Sequence, residues 1–114
     1  MYRVVVDASV ECSKSLSEKI DSIIEEYGVR GEDGIRLKEI LKKHLEKAPE
    51  TFSEKSWENF DLDLAESCNR ILDDILDNIE LVFKDDETLF RASAAATSLV
   101  SRLKACIKSK AEAV

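Results

Sequence analysis

The spacing of hydrophobic positions predicts four long helical segments. In the first, about residues 7–27, apolar side chains recur every three or four positions. Its stripe consists of Leu16, Ile20, Ile23 and Tyr27, with Cys12 and Ile24 at the flanks. Gly28 is a natural helix stop, because glycine adopts a left-handed conformation at little cost. The valines within residues 2–6 favour a strand, but Val5 is in phase with the stripe, so strand and helix both stay open there.

The second segment covers about residues 34–48 and follows a loop at residues 28–33. Asp33 is a candidate N-cap, since short polar side chains accept hydrogen bonds from the first helical N–H groups. The apolar face consists of Leu37, Ile40, Leu41, Leu45 and Ala48. We expect Pro49 to end this helix, because the residue before a proline avoids helical geometry.

A helix start is indicated again at residues 51–54, where Thr-Phe-Ser-Glu has the spelling of a capping box. The apolar face that follows consists of Trp57, Phe60, Leu64, Cys68, Ile71, Ile75 and Val82, with Leu72, Leu76, Ile79 and Phe83 beside it. Asp61 would fall on this face and Leu62 off it. We therefore expect a kink or short break near residues 60–62, a short extra helical turn near 51–60, and the most regular helix from 63 to 83.

The fourth segment covers about residues 87–111, after a very short turn in which Asp85 or Asp86 caps the helix. Its stripe consists of Leu89, Ala92, Ala96, Leu99, Val100, Leu103 and Ile107. Short connections force neighbouring helices to run antiparallel. The sequence thus predicts an all-α fold, an antiparallel up-down four-helix bundle, in which residues 1–114 form a single domain.

Charge adds support for this arrangement. The chain has a net charge of −7, and 36% of its residues are charged. The first and third helical regions are acidic, with net charges of −4 (residues 7–27) and −10 (residues 50–87), whereas the second and fourth are basic, at +3 (34–48) and +4 (91–114). In an up-down bundle each helix then lies between two of opposite sign. Much of the surface charge therefore has a structural explanation.

Composition also bears on compartment. The three cysteines show no CxxC spacing, so we expect no disulfide framework and no zinc site, but free, mostly buried thiols. No apolar run has the length of a membrane span or of a signal-peptide core, which predicts a cytoplasmic protein without a membrane partner. The chain contains no Gln and many Lys and Glu, a bias that resembles heat-adapted proteins.

One acidic motif resembles a metal site. Asp73, Asp74 and Asp77 have the two-acids, two-apolar, one-acid spelling of isoprenyl diphosphate synthases, which hold diphosphates through magnesium. The resemblance covers five residues. Helical phase turns Asp73, Asp77 and Glu80 away from the apolar stripe, and no second acidic cluster faces them. We therefore predict no metal, no cofactor and no catalytic residue here, and instead an exposed acidic surface.

Three acid pairs resemble a second enzyme family. MazG-type nucleotide pyrophosphatases are dimeric all-α proteins that bind magnesium through acid pairs three residues apart. That spacing occurs here in Asp63/Glu66, Asp77/Glu80 and Glu18/Asp21. The resemblance implies a magnesium-dependent nucleotide pyrophosphatase, which is one alternative function.

Basic residues support another alternative, a nucleic-acid-associated subunit. They lie on the second helix (Arg36, Lys38, Lys42, Lys43 and Lys47) and on the fourth (Arg102, Lys104, Lys108 and Lys110). Two basic helices can contact phosphates. The net charge of −7 and a pI of about 4.8 oppose this function, because the overall field repels a polyanion.

The preferred prediction is a non-catalytic helical subunit that binds another protein or a second copy of itself. Glu66, Asp73, Asp77 and Glu80 would form a concentrated acidic face on the third helix. That helix also looks longer than the second, so part of its apolar face should stay uncovered. Three aromatic residues are then candidates for an exposed anchor patch that favours dimerisation. They are Trp57, Phe60 and Phe90.

Overall fold

The protein is built from α-helices alone. The computed structural model describes residues 1–114 and contains five helices and no strand. They are α1 (Tyr2–Ser17), α2 (Ile20–Glu26), α3 (Gly31–Ser53), α4 (Phe60–Val82) and α5 (Asp86–Glu112). The predicted all-α class is confirmed. None of the five is apolar over a stretch long enough to cross a lipid bilayer.

The first predicted helix is divided in two. Residues 2–6 are helical, and Val5 is fully buried in the core. A turn at residues 18–19 then separates α1 from α2, although neither residue is a glycine or proline that would signal a break. The buried stripe nevertheless continues through the turn from Leu16 to Ile20. Gly28, with φ +73°, follows α2 as the predicted left-handed stop.

The predicted end of the second helix at residue 48 is wrong, since α3 continues through Pro49 to Ser53. An interior proline removes one backbone hydrogen bond and crowds the preceding turn. Ala48 and Phe52 lie on either side of it, and both are completely buried. Burying a phenylalanine side chain contributes roughly 1.5–3 kcal/mol, which offsets much of that cost.

The N-terminus of α3 also differs from the prediction. The N-cap position is occupied by Arg30, without a side-chain cap, and Asp33 lies in the first helical turn. A carboxylate there still interacts favourably with the positive end of the helix dipole. The loop is therefore shorter than the predicted residues 28–33.

The capping box at residues 51–54 and the extra turn near 51–60 are also wrong. Thr51 to Ser53 form the last residues of α3, and residues 54–59 are not helical. A break is thus present, but it ends before residues 60–62, where the kink or short break is predicted. Asn59 caps α4, because its side-chain oxygen accepts a hydrogen bond from the Leu62 N–H at 3.3 Å.

Ion pairs join neighbouring helices. Both α1 and α4 pack against α3 and α5, and α2 packs against the same two helices. The contacts include three ion pairs with N···O distances of 3.1–3.3 Å: Lys38–Asp21, Arg102–Glu26 and Lys110–Glu11. The predicted alternation of charge is observed only in part. Within their observed bounds α2 (−3) and α4 (−6) are acidic and α5 (+2) is basic, but α1 and α3 have no net charge, because α3 includes Glu32, Asp33 and Glu50 and α1 ends before the acids of α2. All five helices contribute to one core cluster of 28 buried residues.

A disulfide joins the first and last helices. Cys12 of α1 is bonded to Cys106 of α5, with a Cα–Cα distance of 6.0 Å. The prediction of three free cysteines is therefore wrong, and Cys68 alone is free. An odd number of cysteines excludes a fully paired framework, but it does not exclude one pair. The packing of α1 against α5 brings together residues 94 positions apart.

Candidate functional site

An acidic face lies on the outside of α4. Its position follows from helical phase, because Ile71, Ile75 and Ile79 are buried on the opposite side. Glu66, Asp73, Asp77 and Glu80 are all exposed, as the sequence predicts. We call Asp73, Asp77 and Glu80 the acidic strip.

The acidic strip is not neutralised within the molecule. None of the six ion pairs in the structure involves Asp73, Asp77 or Glu80. Lys84 donates a hydrogen bond at 3.4 Å to the main-chain oxygen of Glu80, not to its carboxylate. The strip therefore presents three free carboxylates to solvent.

Glu66 has a different role from the acidic strip. Its carboxylate accepts a hydrogen bond from Lys55 Nζ at 2.7 Å, and this bond is the main reason why the pKa of Lys55 is raised. Arg70 pairs with Glu54 at 2.7 Å in the same region. Both contacts attach the segment of residues 54–59 to α4, so Glu66 is already occupied by a structural ion pair.

A groove runs beside the acidic strip, between α4 and α5. Its volume is about 380 Å³. The lining residues are Leu76, Glu80, Leu89, Phe90, Ser93, Ala94 and Thr97. Phe90 is 75% exposed. Glu80 belongs to both features, so the apolar groove and the carboxylates form one continuous surface.

The predicted exposure of Trp57 is wrong, because only 2% of its surface is accessible to solvent. Its indole Nε1 donates a hydrogen bond at 2.7 Å to the main-chain oxygen of Phe52. Its ring also lies 6.0 Å from Phe52 and 5.9 Å from Phe60, measured between centroids. Phe60 is half-buried. The prediction failed because Trp57 lies in the non-helical segment 54–59, which packs it against Phe52, and because α3 and α4 are equally long, at 23 residues each.

The acid pairs that resemble a magnesium site are not assembled into one. Asp21 pairs with Lys38, Glu66 pairs with Lys55, and Asp77 and Glu80 point to solvent. No group of three or more His, Cys, Asp or Glu side chains lies close enough together to hold a metal ion.

The free thiol and the single histidine are both packed between helices. Burial raises the pKa of the Cys68 thiol to about 11, although nearby Lys104 lowers it. The thiol is therefore protonated at neutral pH and is a weak nucleophile. His44 is half-buried, and its Nε2 lies 3.1 Å from Asn78 Oδ1, which connects α3 with α4.

Several of the basic residues are already paired. Lys38, Arg102 and Lys110 hold acidic residues of α1 and α2. Lys42, Lys43 and Lys47 of α3 are exposed and make no ion pair. Only part of the basic set predicted to contact nucleic acid is therefore free to do so.

Sequence reasoning missed the groove walls. Leu76 and Leu89 were assigned to the core or its edge, but they are half-buried and line a surface groove. Their positions at the flank of each apolar stripe, together with the small residue Ala94, are the sequence signal that indicates a groove between the two helices.

Comparison of the chain with family models, with curated proteins and with solved structures gave no match.

Proposed function

We propose that the protein is a non-catalytic helical module that binds another protein through the acidic strip and the α4–α5 groove. The observation that carries this proposal is the exposure of Phe90 beside an apolar groove and three unpaired carboxylates. Exposed apolar patches rimmed by polar groups are characteristic of interaction sites. Aromatic residues such as Phe90 are enriched among the anchors of such interfaces.

We also propose that the helices form one antiparallel up-down four-helix bundle in a single domain, in which α1 and α2 together occupy one position. The contacts of α1 and α2 with the same two helices support this arrangement. Ion pairs between Glu54 and Arg70 and between Lys55 and Glu66 join the segment that follows α3 to the N-terminal half of α4, and α3 packs against α4.

We propose that the protein works in the cytoplasm of a heat-adapted organism. Disulfides are rare in cytosolic proteins, but intracellular proteins of hyperthermophiles are an exception. A disulfide together with a Gln-free, Lys- and Glu-rich composition fits that exception. A thermal midpoint in the ordinary range of mesophilic domains, about 45–65 °C, would contradict heat adaptation.

The interaction is tested by immobilising the full chain and capturing proteins from its native source. The test variant carries Asp73→Asn, Asp77→Asn and Glu80→Gln, and a second variant carries Phe90→Ala. Each should release a protein that the unmodified chain retains, because the charge or the anchor is removed.

The matched control carries Glu25→Gln, Glu39→Gln and Glu58→Gln. These carboxylates are also exposed and outside the six ion pairs, so the net charge changes equally. The control should retain the same protein. Equal release by test and control variants would show that net charge alone governs capture, and would refute the proposed site.

Self-association through the same surface is tested by light scattering. A dimer that Phe90→Ala dissociates would identify a second copy as the partner. A monomer at high concentration would leave only a different protein as the partner.

Nucleic-acid binding is the alternative favoured by the free lysines of α3. Short RNA or DNA should then shift resonances of Lys42, Lys43 and Lys47, and binding should weaken steeply as salt is added.

The pyrophosphatase alternative requires that magnesium with nucleoside triphosphates shifts the NMR resonances of Asp63, Glu66, Asp77 or Glu80. An unchanged spectrum in either titration removes that alternative.

A further inference from the structure

We infer that the element of the partner seated on this surface is a basic amphipathic α-helix. Its apolar side chains occupy the α4–α5 groove, and its lysines or arginines face the acidic strip. This inference rests on the proposed function and specifies the chemical class of the partner.

The shape of the groove favours a helix. Leu76 of α4 and Leu89 and Ala94 of α5 form apolar walls between two packed helices, and Phe90 stands at the rim. A third helix can place side chains spaced at i, i+3, i+4 and i+7 into such a groove. The walls and rim thus provide the contacts that an amphipathic helix requires.

The spacing of the charges matches the same element. Asp73, Asp77 and Glu80 are separated by four and three residues, so they lie on one face of α4 in successive turns. Seven residues of helix correspond to a row about 10 Å long. Basic side chains with the same spacing on the bound helix would each meet one carboxylate.

The charge is confined to one side of the groove. The α5 wall contributes Ser93 and Thr97, which are uncharged. A bound helix would therefore carry its basic residues along one flank, with the apolar residues beside them. This asymmetry fixes how the helix is rotated about its axis.

A second copy of this chain fits the surface poorly. Its exposed helical lysines outside the six ion pairs are spread over α1, α3 and α5. No helix of the chain is strongly basic, since α1 and α3 have no net charge and α5 has +2. Two copies with a net charge of −7 each also repel one another.

The probe is a labelled synthetic peptide of about 18 residues, long enough to form a helix on binding. Its leucines follow the i, i+3, i+4, i+7 pattern, and its lysines lie along one flank. A second peptide has the same composition in shuffled order. Both are titrated into the full-length protein by fluorescence anisotropy, and the contacted residues are mapped by NMR.

We expect the patterned peptide to bind about tenfold more tightly than the shuffled one, with shifts at Leu76, Leu89 and Phe90. Phe90→Ala should weaken binding about fivefold to tenfold, the scale of an interface anchor. The variant with Asp73→Asn, Asp77→Asn and Glu80→Gln should lose most of the salt dependence. The Glu25, Glu39 and Glu58 control should bind as the unmodified protein does.

Three results would overturn the inference. Equal binding of the shuffled peptide would mean that the strip attracts any polycation, and shifts confined to other helices would place the contact elsewhere. A dimer that Phe90→Ala dissociates would make a second copy the occupant.

If capture from the native source still depends on the acidic strip while the patterned peptide fails to bind, only the helical nature of the partner is refuted. If capture no longer depends on the strip, the proposed function itself fails.

Discussion

Trp57 and Phe90 are two aromatic side chains that the sequence predicts in one exposed patch, yet they lie in opposite environments. Trp57 adopts a left-handed backbone conformation, with φ 65°, which is uncommon for a residue other than glycine. Its ring is held by the hydrogen bond to Phe52 and by contacts with two phenylalanines. Phe90 lacks any such partner and remains exposed.

These environments predict opposite effects on stability. Trp57→Ala should lower the free energy of unfolding by about 3–5 kcal/mol, because it leaves a large cavity. Phe90→Ala should change it by less than about 0.5 kcal/mol, as expected for a surface residue. Denaturant unfolding followed by circular dichroism compares the two. Similar losses in both variants would contradict the burial of Trp57 and the exposure of Phe90.

Asp85 predicts a dependence on pH. It caps α5, and hydrogen bonds from the N–H and hydroxyl of Thr88, both 3.0 Å long, lower the pKa of its carboxyl. A lowered pKa stabilises the fold above the unfolded-state value, near 4. That stabilisation is lost as the pH falls through the lower folded-state value.

Thermal unfolding of the protein and of Asp85→Asn tests this cap. Asparagine also caps helices but does not titrate in this range. The unmodified protein should therefore be more stable than the variant at neutral pH, and this difference in thermal stability should disappear as the pH falls below about 4. A difference that stays constant from neutral pH to pH 2 would show that the charge of Asp85 does not contribute.

At the scale of the helix, α3 shows how tertiary packing overrides a local signal. Pro49 is half-buried within the helix, between Ala48 and Phe52 of the core. Its lack of an N–H leaves the Leu45 carbonyl without its usual helical donor. The helix continues past Pro49 because burial of Phe52 in the core offsets the lost hydrogen bond.

Replacement of this proline should stabilise the protein. Pro49→Ala should raise the free energy of unfolding by about 2 kcal/mol, the roughly 3 kcal/mol cost of an interior proline less about 1 kcal/mol from its restriction of the unfolded chain. Glu50→Ala, an exposed change in the same turn, should have almost no effect. A destabilised Pro49→Ala variant would show that the packing of the proline ring outweighs the missing hydrogen bond.

The sequence predicts that the segments are helical and which face of each helix is buried, but it does not predict where the helices end. The buried isoleucines of α4 and the stripe of α5 follow the apolar spacing, because a period of 3.6 places those residues on one face. The breaks at residues 18–19 and 54–59 depend on contacts between helices. The acidic strip followed from phase alone, whereas the groove required the relative placement of α4 and α5.

For the whole molecule, the bond between Cys12 and Cys106 has the largest expected effect on stability. It closes a loop of 94 residues, and such a loop restricts the unfolded chain by about 4–5 kcal/mol. Sequence spacing did not reveal it, because the pair is formed only when α1 packs against α5.

The double variant Cys12→Ala, Cys106→Ala should lose about 4–5 kcal/mol of stability. Reduction of the unmodified protein should produce a similar loss and leave the double variant unchanged. Thiol counting under denaturing conditions should give one reactive group before reduction, from Cys68, and three afterwards. Three reactive thiols without reductant would contradict the disulfide.

The disulfide also determines how the molecule responds to mechanical force. A load applied between its two ends passes through α1 to Cys12, across the sulfur bridge, and out through the end of α5 from Cys106. Residues 13–105, which include the groove and the acidic strip, lie outside that path. In an optical trap the oxidised protein would therefore extend only by its short end segments. Reduction would release up to about 330 Å of additional chain length.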